Sequence, residues 1–315
     1  MSDQNSTQPL SGYRVVDLSR VLSGPFCTQI LGDLGADVIK VEPAPAGDKT
    51  RKLLGFAAGF FGAFNRNKRG FAIDLKSDEG REAALKLISS ADVVIENAAP
   101  GTVEKLGVGY GASRKINPRI IYCSLKGFLS GPYENRPALD EVVQYMAGLA
   151  YMTGPVGQPL RAGSSVIDIM GGTFAVIGIQ AALREREQTG EGQFVKSALF
   201  ESTAFLVMQH MVGNAVTGSP SPPMPGRVGA WGIYETFPTA DGEMIFIGIT
   251  SDNHWRWFCE RFDRQDLLED PSLQTNEGRV RERARTLPIV AEIAKRHTRE
   301  EMSQICEEIR IPFAP

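Results

Sequence analysis

Residues 13–42 read YRVVDLSRVLSGPFCTQILGDLGADVIKVE. Val15, Val16 and Leu18 make residues 13–18 a short apolar strand. After the turn SRVLSGP, Phe26, Ile30, Leu31 and Leu34 recur at helical spacing, so residues 26–34 are read as a helix. Gly35 is placed to end that helix, and residues 37–42 form a second strand. Strand, helix and strand in this order make a βαβ unit, and its two strands must run parallel because the chain crosses over between them.

The same succession continues along the chain. A helix over residues 78–90 leads to a strand over 92–97. Short helices near 103–106 and before Asn117 lead to a strand over 119–125. Helical stretches follow at 140–149 and 169–186, the second carrying Arg184 and Arg186 near its end and Gly190 beyond it. The fold class is therefore α/β with a largely parallel sheet, and residues 1–216 are assigned to this large domain. Residues 217–229, TGSPSPPMPGRVG, are too rich in proline and glycine for a helix or central strand and read as a linker. Residues 230–315 open with two strands, 233–237 and 244–249, around the Asp-Gly turn TADGE. Helices at 253–262, 277–295 and 299–309 complete a smaller α+β domain.

Bulk chemistry narrows the function. Charged residues make up 23% of the chain and the formal charge is −3, so the basic footprint of a nucleic-acid binder is missing. The four cysteines and three histidines are scattered without metal-ligand spacing, which indicates a reduced, cytoplasmic protein without a structural metal. The N-terminus lacks an apolar leader core, and apolar stretches are interrupted by Asp, Gly or charge. A soluble protein without a membrane span is expected.

Ligands of parallel sheets gather at the carboxyl ends of the strands. Three loops qualify here: residues 19–25, 97–101 and 126–132. The first lacks G-x-G-x-x-G, and the chain has neither a P-loop nor a G-x-S-x-G elbow. The run NRNKRG at 65–70 is either a solvated basic turn or a phosphate-facing patch. His210 reads as a core or interface histidine. Carboxylates are left as the candidate nucleophiles or bases. Asp140, in PALDEVVQ, opens an amphipathic run and is expected to cap its own helix. Asp168 lies in SSVIDIMGG among Ile167, Ile169 and Met170; it either caps a helix or serves as a nucleophile in a poorly solvated pocket. Gly171 and Gly172 leave room there for a ligand or another backbone.

Taken together, the segments LSRVLSGPFCTQILGDLGADVIKVEPAPAGDKTR, NRNKRGFAIDLKSDEGREAALKLISSADVVIENAAPGTVEKLG, NPRIIYCSLKGFLSGPY, ALREREQTGEGQFV and ETFPTADGEMIFIGI resemble the class III CoA-transferases, the carnitine and bile-acid-inducible CoA-transferase superfamily that includes formyl-CoA transferase. The resemblance runs from about residue 10 to the end. It implies a Rossmann-like large domain and an interlinked dimer, either a homodimer or a heteromer with a paralogous subunit. It also implies transfer of coenzyme A from an acyl-CoA to a carboxylic acid, with the thioester as substrate and no tightly bound cofactor.

The resemblance places the catalytic aspartate at Asp168. Coenzyme A would lie along Leu22 and Ser23, then Ile73, Asp74, Leu75 and Lys76, then Asn97, Ala98 and Ala99, with Lys105, and Asp140 would line the same pocket. Some relatives carry an arginine where this chain has Pro43. The related α-methylacyl-CoA racemases have a histidine where this chain has Leu139; its absence removes one of the two bases a racemase needs. A non-catalytic CoA-binding subunit is the other alternative, and the retained Asp168 argues against it. Relatives continue past EIRIPFAP with a segment that returns to the first domain, so a C-terminal return segment is expected to be missing here.

Overall fold

The structure, a computed structural model, describes residues 8–227 and 229–315. It divides into two compact units, the first ending at Gly226 and the second beginning at Arg227.

In the first unit the elements are β1 (Arg14–Asp17), α1 (Ser23–Asp33), β2 (Asp37–Pro43), α2 (Phe60–Phe64), β3 (Lys68–Ile73), α3 (Asp78–Ser89) and β4 (Val93–Glu96). There follow α4 (Thr102–Lys105), α5 (Tyr110–Ile116), β5 (Ile121–Lys126), α6 (Asp140–Met146), α7 (Leu149–Thr153), α8 (Val166–Thr189), β6 (Phe194–Ala198) and α9 (Leu199–Thr217). The six strands pair in the order β3-β2-β1-β4-β5-β6, and every pairing is parallel. Strand order reverses between β1 and β4, so the loops leaving those two strands flank the crevice where such sheets bind ligands.

Both sheet faces are covered. Val15, Val38, Ile95 and Cys123 pack with Cys27 and Leu31 of α1 and with Ala175, Ile179 and Leu183 of α8. Val16, Val94 and Tyr122 pack on the other face with Ala84 and Ile88 of α3 and with Val103. The βαβ reading of residues 13–42 holds, though α1 begins at Ser23 because Pro25 is tolerated in a first turn. Gly35 ends it at φ +103°.

Two expectations are corrected. The first concerns α8, which starts at Val166 rather than Ile169 and is long and apolar enough, by length and composition, to cross a membrane. Here it is a core helix instead, with its small and aliphatic residues packed against α1 and the sheet. Gly172 makes this approach possible, since a Cβ there would stand 2.7 Å from the Ser23 carbonyl oxygen. The second concerns the basic run at 65–70, where one of the three cations is not in solvent: Arg66 and Arg69 are exposed in surface ion pairs, but Lys68 is turned inward. Lys68 is buried against Asp17, while Arg66 pairs with Asp33 and Arg69 with Asp37.

The second unit carries β7 (Ile233–Pro238) and β8 (Met244–Ile249) as an antiparallel hairpin turning at Gly242, with β9 (Phe313–Ala314) added to β8. Helices α10 (Asp252–Arg261), α11 (Gln265–Leu268), α12 (Asn276–Arg281), α13 (Arg283–Ala294) and α14 (Arg299–Glu308) surround a core of Ile245, Ile247, Trp255, Phe258 and Met302. Buried Arg279 bonds the Leu273 carbonyl and Asp252, and its guanidinium lies 5.6 Å from the Trp255 ring centre.

Candidate active site

The loop after β1 is built on buried charge. Asp17, at the carboxyl end of β1, accepts the Ser19 amide (2.9 Å) and the Ser19 and Thr28 hydroxyls. Lys68 Nζ lies 3.1 Å from its Oδ2 and also donates to the carbonyls of Pro25 and Phe64. Lys40 Nζ, 3.9 Å from Asp17, donates to the Ser19 carbonyl and pairs with Asp48. Burial alone would raise the Asp17 carboxyl, but Lys40 and Lys68, with the two hydroxyls, bring it down to about 2. A permanent anion therefore anchors the segment that leads into α1.

Asn97, just past β4, closes that segment from the other side of the crevice. Its side-chain oxygen accepts the Arg20 amide at 2.8 Å, and its nitrogen donates to the Arg20 carbonyl at 2.7 Å and to Ser23 Oγ at 3.4 Å. With Arg20 clamped, Val21 sits at φ +65°, a left-handed conformation that a β-branched residue rarely adopts, and its side chain is exposed. Ala98 is pinned as well: its amide donates to Glu96 and its carbonyl accepts from Lys126.

α8 returns antiparallel to the strands on its way into β6, so its N-terminus arrives at the same sheet edge. Asp168 is the third residue of that helix, and its N-cap is Ser165. It therefore sits inside the first turn and is not the cap. Its carboxyl is driven up to about 7, first by burial and then by the neighbouring Asp140; the Ser23 hydroxyl works in the opposite direction. Among the described residues no cation acts on it.

Asp140 does not cap its own helix either. Leu139 is the N-cap of α6, without a side-chain bond. The Asp140 carboxylate reaches across instead, accepting the amides of Ile167 (2.8 Å) and Asp168 (3.1 Å) at the start of α8. Its other oxygen accepts from Gln144. The physical reason is that Ser165 offers no side-chain cap, so these orphan amides need an acceptor from elsewhere.

The remaining sequence-selected residues spread along the carboxyl edge. Leu22 and Ser23 are buried at the entry to α1, beside the Asp168 turn. Ile73 ends β3, and Asp74 accepts the Lys76 amide in the turn that leads to the Ser77 cap of α3. Lys76 and Lys105 project into solvent as exposed ammonium groups. The structure thus brings Ser23, Asn97, Asp140 and Asp168 together. It sets residues 73–76 and Lys105 further out along the edge, on β3 and α4. Gln144 and Lys40 were missed in the sequence, and Lys68 was read only as part of the basic run at 65–70. Lys40, a charge inside the apolar strand DVIKVE, was the readable sign of a buried ion pair.

Comparison with known proteins places the whole chain in a family. The family described as CoA-transferase family III matches residues 10–315. The chain is 35% identical to succinate–glutarate CoA-transferase of Agrobacterium fabrum, over 99% of this chain and 80% of that one. It is 38% identical to succinyl-CoA:mesaconate CoA-transferase of Haloarcula hispanica, over 83% of this chain and 69% of that one. Among solved structures, a CaiB/BaiF family protein from Brucella suis superposes with a TM-score of 0.85 at 35% identity, covering 98% of this chain and 84% of the other.

Proposed function

The chain belongs to CoA-transferase family III, and from that premise we propose that Asp168 is the nucleophile through which it moves coenzyme A between carboxylic acids. Enzymes of this kind use CoA thioesters as substrates. The observation that carries the reading is a partly buried carboxyl in the first turn of α8, beside Ser23 and Asp140 at the mouth of the sheet crevice and raised to about 7 by burial and Asp140. At neutral pH a large fraction is ionised. The anion is then more basic, and so more nucleophilic, than an ordinary aspartate.

In the first step an Asp168 carboxylate oxygen bonds to the thioester carbon and the C–S bond breaks, giving an acyl-aspartyl anhydride and CoA thiolate. The thiolate attacks Cγ of Asp168, which forms an aspartyl-CoA thioester and releases the donor acid. The acceptor carboxylate attacks the same carbon, expelling the thiolate. The thiolate then attacks the acceptor's acyl carbon, which yields the new acyl-CoA and restores the Asp168 carboxylate. Each addition places negative charge on a carbonyl oxygen, and backbone amides of the strand-end loops are the donors at hand.

Coenzyme A would lie along Leu22 and Ser23, residues 73–76 and 97–99, with Lys76 and Lys105 as point charges for its phosphates. The substrates named for the relatives favour succinyl-CoA as donor and a short dicarboxylic acid as acceptor. Leu139, exposed where a racemase would need an imidazole, favours transfer over epimerisation. We also propose a paired assembly, supported by the exposed Phe205, Met208, Met211 and Val212 of α9; light scattering that returned the mass of a single chain would reject it.

The decisive experiment is chemical trapping. Incubation with succinyl-CoA and hydroxylamine is expected to convert Asp168 into a hydroxamate, detected by peptide mass spectrometry, with a rate that rises through about pH 7 as the carboxyl ionises. Asp168→Asn is expected to abolish both labelling and transfer. Labelling at another residue, or full turnover by the variant, would reject the assignment.

A further inference from the structure

The contacts of Asp140 go beyond lining a pocket. It is 7% exposed and Gln144 is fully buried, so neither offers lone pairs or protons to solvent. We infer that Asp140 is the positioning residue of the Asp168 nucleophile: its carboxylate takes the amide hydrogens of Ile167 and Asp168 and, tied back through Gln144, fixes the turn of α8 from which the Asp168 carboxylate projects. The inference rests on the reading of Asp168 as nucleophile.

The argument comes from the direction of the hydrogen bonds. At one end the Ala162 amide donates to Gln144 Oε1 at 2.9 Å. Gln144 Nε2 then donates to Asp140 Oδ1, and Asp140 Oδ2 receives the two amides of α8. The row has main-chain donors at both ends. Its two side chains together must therefore supply acceptors at both ends and one complementary bond between them. A carboxylate beside an amide does this, whereas two amides cannot. With asparagine at position 140, its NH2 meets the Gln144 NH2, and turning Gln144 over only moves the donor–donor clash to Ala162.

The two side chains thereby join the chain before α8, through Ala162, to the backbone of the nucleophile itself. Ser165 provides no side-chain cap, so Asp140 and Gln144 supply the only side-chain acceptors that the hydrogen bonds of the described residues show for this stretch. A turn held at its amides keeps the attacking oxygen in register with a bound thioester, and small displacements of a reacting group are costly.

The same logic supplies a rescue. In the double variant Asp140→Asn with Gln144→Glu, the amide introduced at position 140 would donate to position 144 and still accept the α8 amides, while the carboxylate introduced at position 144 would accept the Ala162 amide. Every bond in the row is restored, with the charge moved one side chain away from Asp168.

The test measures hydroxamate formation at residue 168 with succinyl-CoA, and steady-state kcat and KM for succinyl-CoA with glutarate, in wild type, Asp140→Asn and the double variant. Asp140→Asn is expected to slow labelling and kcat by roughly 100-fold with KM for succinyl-CoA little changed. The double variant is expected to recover most of that loss. Wild-type labelling rates in Asp140→Asn would overturn the inference. So would a double variant that folds, judged by its thermal melt, yet labels as slowly as the single one. If wild type itself fails to label at Asp168 but turns over, the nucleophile assignment falls and this inference falls with it, an outcome distinct from the other two.

Discussion

Asp17 and Asp168 are two poorly solvated carboxyls of the same unit, and α1 touches both, through Thr28 at the first and Ser23 at the second. Their chemistry is nevertheless opposite. Asp17 is fully buried yet held at about 2, because Lys40, Lys68 and two hydroxyls surround it. Asp168 is held at about 7, because burial is joined by a second carboxylate and opposed only by one hydroxyl. Burial acts in the same direction on both and so cannot be what separates the depressed acid from the raised one. The partners decide: cations make Asp17 an inert anchor, whereas among the described residues no cation offsets the charge of Asp168, the proposed nucleophile.

The largest effect is expected from removing the anchor's cation. Lys68→Met keeps the volume but leaves Asp17 with only the more distant Lys40, and breaking a buried pair from one side costs about 3–5 kcal/mol. Chemical denaturation should show that loss. A variant as stable as wild type would mean that Lys40 alone suffices, and the contrast drawn above would lose its basis.

Next in size is an effect of opposite sign at Asp168, the proposed nucleophile. A carboxyl whose folded value is raised binds its proton in the folded state while the unfolded chain ionises. Stability therefore falls as pH rises from about 4 to about 7, and above that a constant penalty remains. Asp168→Asn removes the penalty, so the variant is expected to be more stable than wild type at pH 8, by at most about 4 kcal/mol. The gain should vanish below pH 4. An inactive variant with no gain in stability at pH 8 would show that Asp168 is not strained by its surroundings.

The anchor has its own pH signature, and the sign reverses. Because Asp17 is depressed in the folded state, its stabilisation is fully present above the ordinary carboxylate value of 3.8 and is lost as pH falls through about 2. The loss amounts to about 2 kcal/mol. Acid unfolding of Asp17→Asn, followed by circular dichroism, should be flatter than wild type across that window.

Much of this contrast was legible in the sequence, but unevenly. The βαβ unit at residues 13–42 could be read because its strands and helix use different periods and Gly35 marks the join. Asp168 stood out because an acid among Ile167, Ile169 and Met170 has to be explained. What escaped were relations between distant segments. The partners of Lys68, Arg66 and Arg69 are Asp17, Asp33 and Asp37, more than thirty residues away, so a local run of charge looked free when it was paired. Asp140 resembled an N-cap for its own helix, because nothing nearby revealed that α8 would present uncapped amides to it. The start of α8 was read late for the same reason: Ser165 does not cap, and Val166 and Ile167 carry no start signal.

The smallest effect separates the two sites most cleanly, because it acts at one end of the helix they share. A Cβ at Gly172 would lie 2.7 Å from the Ser23 carbonyl oxygen and 3.3 Å from the Cys27 amide, both backbone atoms that cannot swing aside. At Gly171 the nearest atom is a Leu199 methyl at 3.0 Å, the end of a flexible side chain. Overpacking costs about 1–3 kcal/mol, and alanine's helix propensity returns up to about 1 kcal/mol of it. Gly172→Ala is therefore expected to lose about 1 kcal/mol in denaturant unfolding, and Gly171→Ala less. The larger consequence is geometric: α8 must move away from Ser23, which shifts Asp168 but leaves Asp17 and Thr28 in place. Gly172→Ala should accordingly lower the rate of Asp168 labelling while the acid-unfolding profile set by Asp17 stays as in wild type. If both readouts changed together, α1 would be coupling the two acids, and the anchor would be part of the catalytic apparatus.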